Sequence, residues 1–554
     1  MKSVKVVKSI IVLTVPCLIG ISVAFTWDHG VKTKKPHIIF IMADDLGWND
    51  VSFHGADQIP TPNIDALAYN GIILNRYYVQ PTCTPSRTAF LTGRYPIRTG
   101  MQGYPLKAAE PRGIPLNETL LPAHLKKLGY VTRLLGKWHT GYYTKEHTPA
   151  NRGFDSFFGY YNGMIQYFNH TYIQDKINRT GYDLHRDVPN HLNVDYTPGY
   201  FTDILSNEAE EIINKHDPET PLFLEIAHLA PHCSDAVDPL EVRDLKEIDS
   251  KFGYIQNPKR RKFAGMMTAL DESVGRTVSA LKKAKMLENS IIVFASDNGA
   301  QSEGFLENAG SNYPLRGLKF SVYEGGIRAV ACVYSPLIKK RSRLSNIFMH
   351  VTDWLPTFYS AAGGSVANLG EIDGVDQWSK IRNDKESNRK FLLVNIDDKE
   401  NTEAAIYEDF KIVIQAPELN GNYYGESGNN ELYPKYNITR VLNSLTNLAI
   451  NENDIFPLSS KTVKVLRSVS ELSCKELTQF ANCSQLCLFN IQIDPCETLD
   501  LSSKYPNIVK FLENKLDDYR HVLKDQTNAP FDPAGNPENF NGTWMPWRSN
   551  DENK

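Results

Sequence analysis

The sequence predicts an α/β protein: a large, mostly parallel sheet sandwiched by helices, then a smaller C-terminal α+β domain with an antiparallel sheet. Three observations carry this. Short continuous apolar runs alternate with segments of helical periodicity, the pattern of strands buried on both faces by crossover helices. Polar residues suited to ligand binding recur just past the carboxyl ends of those runs, where open α/β sheets hold their ligands. Past about residue 390 the pattern changes to hairpins, loops and clustered cysteines. The expected division is a leader at 1–24, a large domain at 34–390 and the smaller domain at 391–554.

The elements follow in order. "HIIFIM", residues 37–42, is apolar and β-branched and reads as a buried strand ending at Asp44-Asp45. "TPNIDALAYNG" reads as a short helix with Thr61 as its cap and Gly71 as its stop. "GIILNRYYVQ" reads as one strand, and Pro85 marks a first helical turn beginning near Cys83. "LPAHLKKLGYVTRLLGKWHTG" reads as helix, turn, strand, then a loop holding Lys137 and His139. "PLFLEIAHLAPH" is a strand running into His228 and His232. Phe263, Met267, Leu270, Val274, Val278 and Leu281 recur at helical spacing and form a core-facing stripe. "SIIVFASDNG" is another buried strand, ending at Asp297-Asn298. "AAIYEDFKIVIQ" reads as a hairpin and "NIVKFLENKLDDYRHVLK" as a helix of the smaller domain.

The chain has 554 residues, 41% of them hydrophobic and 22% charged, with a net charge of −4. That is globular protein, long enough for two domains. A near-neutral balance gives no sign of bulk nucleic-acid binding, which needs a clustered basic surface, and leaves local positive charge at a site open. Lys2, Lys5 and Lys8 precede an uncharged run that closes on Ser22-Val23-Ala24, the layout of a secretory signal peptide cleaved near Ala24. A retained membrane anchor is the alternative. No later segment is long and apolar enough to span a bilayer, so no stable span is expected after cleavage. Six Asn-x-Ser/Thr sequons, at Asn117, Asn169, Asn178, Asn437, Asn482 and Asn541, fit a glycosylated, lysosomal or secreted protein. With Cys17 removed, seven cysteines remain, an odd number that flags an unpaired position. Cys83 is the natural candidate, with Cys233 and Cys332 as others. Cys474 to Cys496 read as a disulfide-stapled region, with Cys487–Cys496 the pairing expected from spacing.

The chemistry gathers at the strand ends. Asp44, Asp45, Asp297 and Asn298 offer three carboxylates and an amide oxygen, a hard-oxygen set suited to Ca²⁺ or Mg²⁺ rather than zinc. Arg87, Lys137, His139, His232 and Lys319 fall near the same ends. Cations around a metal imply an anionic substrate, and a tetrahedral oxyanion such as sulfate or phosphate fits such a set.

"CTPSRTAFLTGR" resembles the first signature of the type I, formylglycine-dependent sulfatases, and "GYVTRLLGKWH" their second. "ADDLGWNDVSFHG", "SDNGAQ", "PLRGLKFSVYEGGIR", "CLFNIQIDPCE" and "NGTWMPW" resemble further segments of that family, most closely its arylsulfatase B, N-acetylgalactosamine-4-sulfatase-like branch. The resemblance implies an alkaline-phosphatase-like sulfatase fold. It implies that Cys83 is oxidised to formylglycine by the formylglycine-generating enzyme of the endoplasmic reticulum, which reads Pro85 and Arg87. The hydrated aldehyde carries two hydroxyls: one attacks sulfur, and the other then expels sulfate by C–O cleavage. It further implies one Ca²⁺ held by Asp44, Asp45, Asp297, Asn298 and residue 83. Arg87 and Lys137 stabilise the hydrate and His139 takes a proton. His232 and Lys319 contact the sulfate, one of them protonating the leaving oxygen. His232 is preferred over His228 on alignment. The expected substrate is an O-sulfated sugar such as N-acetylgalactosamine 4-sulfate, or a small aryl or plant-derived sulfate. A phosphodiesterase or phosphonate hydrolase of the same superfold, and a catalytically silent secreted binding protein, are the competing readings. Two segments, "MQGYPLKAAEPRGIPLNE" and "HCSDAVDPLEV", depart from the family pattern and are expected to border the substrate pocket.

Overall fold

In the computed structural model, residues 34–174, 179–416, 423–452, 457–474 and 480–549 are described. The leader at 1–24, Cys17 and Asn178 lie outside them. Nine strands form one mixed sheet in the spatial order Arg343–Ser345, Ile72–Leu74, Ala331–Tyr334, Ser290–Ser296, His37–Ala43, Leu222–Ala227, Val131–Lys137, Ser156–Tyr160, His185–Asp187. The five strands from Ser290–Ser296 through Ser156–Tyr160 run parallel, and antiparallel pairings occur on both flanks. The sheet is thus mostly parallel, as the alternating pattern predicts.

Both faces are covered. Ile39, Ile41 and Ala43 face one apolar cluster with the helices Pro62–Asn70, Phe201–Lys215 and Pro258–Lys283. Ile38, Phe40 and Met42 face the other with Cys83–Thr92, Leu121–Lys127 and Trp354–Ala361. Alternate residues of one strand therefore feed two cores, which is why these runs are continuously apolar. The predicted stripe from Phe263 to Leu281 lies wholly in the first core.

The smaller sheet is antiparallel, in the order Phe391–Asp397, Thr402–Tyr407, Phe410–Ile414, Leu486–Asn490. One face packs under the helix Pro506–Arg520 through Leu512 and Leu516. The other packs Leu392, Val394, Val413 and Phe489 against Tyr78, Val322, Tyr323 and Ile327. A buried ion network crosses the same contact. Lys411 Nζ lies 3.1 Å from Glu324 Oε1 and 2.7 Å from Glu497 Oε1, and all three side chains are excluded from solvent. Other late segments add to the large sheet's cores: Val463 and Leu466 to the first, Trp544 to the second.

Three local expectations are corrected. "GIILNRYYVQ" is not one strand. Ile72–Leu74 joins the large sheet, while Tyr77–Tyr78 pairs separately with Met349–His350. Polar Asn75 and Arg76 interrupt the run and find distant partners, Ser345 O for the Asn75 amide and Asp409 for the guanidinium. Thr61 precedes the helix Pro62–Asn70 but its side chain does not cap it. Its hydroxyl donates to Asp65 instead, and the first-turn amides of Asn63 and Ile64 donate to Asp271 on the long helix opposite. The disulfides are Cys474–Cys496 and Cys483–Cys487, not Cys487–Cys496. Cys487 sits inside the last strand, whose rise of ~3.3 Å per residue carries the chain away from it before Cys496. Cys83, Cys233 and Cys332 are unpaired and buried.

Asp271 supplies a pH test. Burial pushes its carboxyl up to about 7, against the donation from Ile64 and Asn63. A folded-state value above the unfolded 3.8 means its contribution is fully present below about pH 4 and lost as pH rises through about 7. Denaturant unfolding of the wild type and Asp271→Asn should show the difference between them falling by on the order of 4 kcal/mol from pH 4 to 8. A constant difference rejects the assignment.

Candidate active site

Register builds the site. The parallel pairing of Ala43 with Ser296 sets Asp44-Asp45 and Asp297-Asn298 side by side where the two central strands end. The Asp297 amide donates to Ala43 O at 3.2 Å, and the Asp45 amide donates to Asp297 Oδ1 at 3.3 Å. Asp45 takes φ 60°, a left-handed turn that Asp tolerates better than most residues, and Asn308 Nδ2 holds its carbonyl at 2.9 Å. Lys137 ends its own strand at the same level, with Nζ 2.7 Å from Asp44 Oδ2.

Cys83 is the first residue of the helix Cys83–Thr92, and Arg87 lies one turn later on the same face. The Arg87 guanidinium donates to Asp297 Oδ2 at 2.8 Å and stands 3.7 Å from Asp44 Oδ1. Cys83 Sγ and one carboxylate oxygen each of Asp44 and Asp297 lie within 4.8 Å of one another. Lys319 Nζ is 2.7 Å from Asp45 Oδ1 and 3.2 Å from His232 Nε2, and that imidazole nitrogen is 3.4 Å from Asp45 Oδ2. His228 points elsewhere, with Nε2 against Ser273 Oγ in the helical layer.

His139 follows at φ 52°. Its Nε2 meets Leu106 O at 2.9 Å. A carbonyl only accepts, so Nε2 carries the proton and the buried Nδ1, which has no protein partner, keeps its lone pair. Thr84 closes this loop: its hydroxyl donates to His139 O at 3.0 Å and accepts from the Leu106 amide at 3.1 Å.

The electrostatics are those of a dry, balanced cluster. Burial disfavours the Asp44 carboxylate, but Lys137, His232 and Arg87 outweigh it and hold its pKa below the ordinary range. Asp297 moves up, through burial and then the Asp44 charge. Burial lowers His139 well below the usual histidine value, with Lys137 adding to it. Burial also pushes the Cys83 thiol up, against the opposing pull of Lys137 and Lys319. An unmodified Cys83 is therefore held as a thiol, a poor nucleophile.

The donor set fits a hard cation. Asp44 Oδ1 and Asn298 Oδ1 are buried with no hydrogen-bond partner in the protein. Asn298 Nδ2 is engaged with Asp45 and Gly299 O, which turns its oxygen the other way. Three carboxylates against Arg87, Lys137 and Lys319 are already balanced, so a divalent cation would leave the site net positive and ready for an anion.

The sulfatase family profile matches residues 36–365. The chain belongs to the sulfatase family. It is a sulfuric ester hydrolase. It is 38% identical to mouse arylsulfatase J, over 94% of this chain and 82% of that protein. Human N-acetylgalactosamine-6-sulfatase is 30% identical over 62% of this chain and 65%, just under two thirds, of its own length. Ps i-CgsB, solved in complex with k-i-k-neocarrahexaose, superposes with a TM-score of 0.68 at 28% identity, covering 89% of this chain and 94% of that one. The PsFucS1 sulfatase from Pseudoalteromonas sp. shares the fold at a TM-score of 0.65 and 23% identity, covering 90% and 92% of the two chains.

In this sulfatase a cavity of about 610 Å³ opens beside Pro81, Pro85 and Lys319. Gly103, Tyr104, Lys107 and Glu110 from the first divergent segment line it, as expected. The second divergent segment does not. Asp235 and Glu241 instead receive the amides of Ile173 and Tyr167 and brace the shell outside His232. Sequence reasoning also missed several supports. The Tyr167 hydroxyl donates to His232 O at 2.9 Å. The buried Tyr160 hydroxyl, beside Lys137 in register, has no protein partner, and the Asp44 charge reinforces the effect of burial on it. Only Tyr160 left a trace in the sequence, as the polar-tipped last residue of an apolar run.

Thr84 offers a direct test. Thr84→Val keeps the shape but strips partners from a buried carbonyl, costing ~1–3 kcal/mol, and from a half-buried amide, costing less. Sulfate-ester turnover should fall about tenfold or more through kcat, with native circular dichroism, and Thr84→Ser should restore it. An unaffected kcat rejects the role.

Proposed function

We propose that this sulfatase hydrolyses sulfate monoesters of carbohydrates with residue 83 as formylglycine and Ca²⁺ as its resident cation. One observation carries the reading: an unpaired residue 83 heads a buried helix, within 4.8 Å of Asp44 and Asp297 and flanked by Lys137 and Arg87, beside an open cavity. Formylglycine hydrate supplies geminal hydroxyls, so that one can accept the sulfuryl group and the other can release it. The cation supplies positive charge to sulfate oxygens. Asp44, Asp45, Asp297 and Asn298 would hold that cation, and the unpartnered Asp44 and Asn298 oxygens support this.

The remaining work falls to the chain's own side chains. Lys137 and Arg87 fix the residue-83 oxygens from two sides. His139 receives a proton at Nδ1, the atom its Leu106 contact leaves bare. His232 and Lys319, 3.2 Å apart, bind the ester end of the sulfate, and this pair delivers a proton to the leaving oxygen. Their burial excludes bulk water and strengthens each charge interaction. The sugar reading draws on the relatives, named for N-acetylgalactosamine sulfate or solved with a neocarrahexaose.

The same reading takes the chain into the secretory pathway, to the lysosome or outside the cell, where the formylglycine-generating enzyme acts on it. Among the described residues, the sequon asparagines Asn117, Asn169, Asn437, Asn482 and Asn541 are all exposed, which supports glycosylation. No helix among the described residues is long and apolar enough to cross a membrane.

Two measurements test this. Mass spectrometry of the tryptic peptide 77–87 should show residue 83 with its sulfur replaced by oxygen, and Cys83→Ser should fold normally yet sustain no turnover. Active protein carrying an unmodified thiol sinks the mechanism. Chelation should abolish hydrolysis of a chromogenic aryl sulfate and lower the melting temperature, with Ca²⁺ restoring both. Faster hydrolysis of the matching aryl phosphate would assign the site to phosphoryl chemistry instead.

A further inference from the structure

The cavity beside residue 83 is walled on its far side by the smaller sheet and the C-terminal tail, neither of which takes part in the chemistry above. Its volume of about 610 Å³ falls within the ~300–1,000 Å³ of small-molecule sites. Two features of its lining point to a ligand class.

The first is a set of amide oxygens without partners. Asn395 Oδ1, Gln301 Oε1 and Asn528 Oδ1 are buried, accept no hydrogen bond from the protein, and belong to residues that line the cavity. Asn395 and Gln301 are 7% and 4% exposed. Local structure aims them. Asn395 interrupts the apolar strand Phe391–Asp397 at a shift in pairing between Leu393 and Asn395. In an unbroken strand it would share the face of Leu393, which packs under the C-terminal helix. The bulge turns it to the side of Val394, towards the catalytic body. Asn528 spends its amide hydrogens on Tyr104 O at 3.1 Å, and Gln301 spends its own on Glu303 O at 2.8 Å. Both oxygens are left as acceptors. Acceptors with no donor call for a ligand rich in hydroxyl or N–H groups.

The second feature is apolar and flat. Tyr104 and Phe320 stack 5.6 Å apart at 24°, and Tyr104 remains 42% exposed at the cavity. Phe320 is held at φ 73°, with its amide on Pro81 O at 2.8 Å, so the ring sits next to both Lys319 and the residue-83 segment. Charge narrows the class further. With Lys319 committed to Asp45, Lys107 and Lys399 face Glu110, Asp397 and Glu400 in the lining. The wall therefore carries no surplus positive charge to attract a second anionic group.

We propose that this wall is a subsite for an uncharged pyranose ring, in which Asn395, Gln301 and Asn528 accept sugar hydroxyls and the Tyr104–Phe320 pair takes the ring's apolar face. The proposal rests on residue 83 as the reacting group and adds what selects the ester. The smaller sheet and tail then determine specificity, and a monosulfated sugar is preferred over both a bare aryl sulfate and a polyanionic chain.

The test compares kcat/KM for N-acetylgalactosamine 4-sulfate with that for a chromogenic aryl sulfate, in wild type, Asn395→Leu and Asn528→Leu. Each substitution removes an acceptor at nearly constant shape, and Asn528→Leu also drops the contact to Tyr104 O. The sugar-to-aryl ratio should fall about tenfold in each variant, chiefly through KM for the sugar. On wild-type protein, monodeoxy sugar sulfates should lose a similar factor, and the loss at the hydroxyl facing residue 395 should vanish in Asn395→Leu. Ratios within twofold of wild type, or deoxy sugars turned over as well as the parent, overturn the subsite. The aryl sulfate reports separately on the chemistry: turnover of it with an unchanged ratio removes the subsite and leaves the sulfatase mechanism standing.

Discussion

Three carboxylates forced together by strand register are the constraint on which this molecule turns. The pairing of His37–Ala43 with Ser290–Ser296 leaves Asp44, Asp45 and Asp297 no freedom to separate. Buried like charges a few ångströms apart repel strongly, because little solvent screens them. Three cations answer them from three other places in the chain: Arg87 from a helix, Lys137 from a neighbouring strand, Lys319 from a loop. Each pair fixes a side chain that the chemistry needs. The charge balance that lets the sheet close is thus the same device that assembles the site, and losing one partner would leave a buried charge uncompensated.

The loop carrying Lys319 depends in turn on the smaller sheet. Arg316, three residues earlier, lies over the Tyr323 ring and donates to Ala481 O and Glu497 O in the disulfide-stapled segment. Glu324 on the same loop meets Lys411 and receives the Tyr78 hydroxyl. The Glu324 amide donates to Glu497. A cross-linked, buried clamp therefore holds the loop of Lys319, the proposed proton donor, in place. It ties the late third of the chain to the segment that carries Lys319. The same sheet lines the cavity, so one element braces the Lys319 loop and shapes the space beside it.

A second hydrogen-bonded circuit, Thr84–Leu106–His139, works by tautomer rather than by charge. The carbonyl of Leu106 decides which imidazole nitrogen is protonated. That segment also supplies Tyr104 to the cavity, so the His139 contact and the cavity lining share one loop.

The sequence by itself determined the element types and the identities of the charged residues. Both follow from local pattern: continuous apolar runs at 37–43 and 290–296, a 3.6-residue stripe from Phe263 to Leu281, and acids just past strand ends. It also carried the family signatures around Cys83 and Lys137. It favoured His232 over His228 only through the family resemblance, and it did not determine which cysteines pair, how Thr61 is used, or that Asn395 leaves its strand face. Those outcomes depend on contacts between residues hundreds of positions apart. Asp271 takes over the role expected of Thr61, and the partner strand absorbs the bulge at Leu393. Asp45 and Lys319 draw in His232, while Ser273 holds His228. Periodicity reports which way a side chain faces within its own element. What that side chain meets is fixed only when the elements pack, and for this protein the proton-bearing nitrogen and the cavity wall were both settled at that stage.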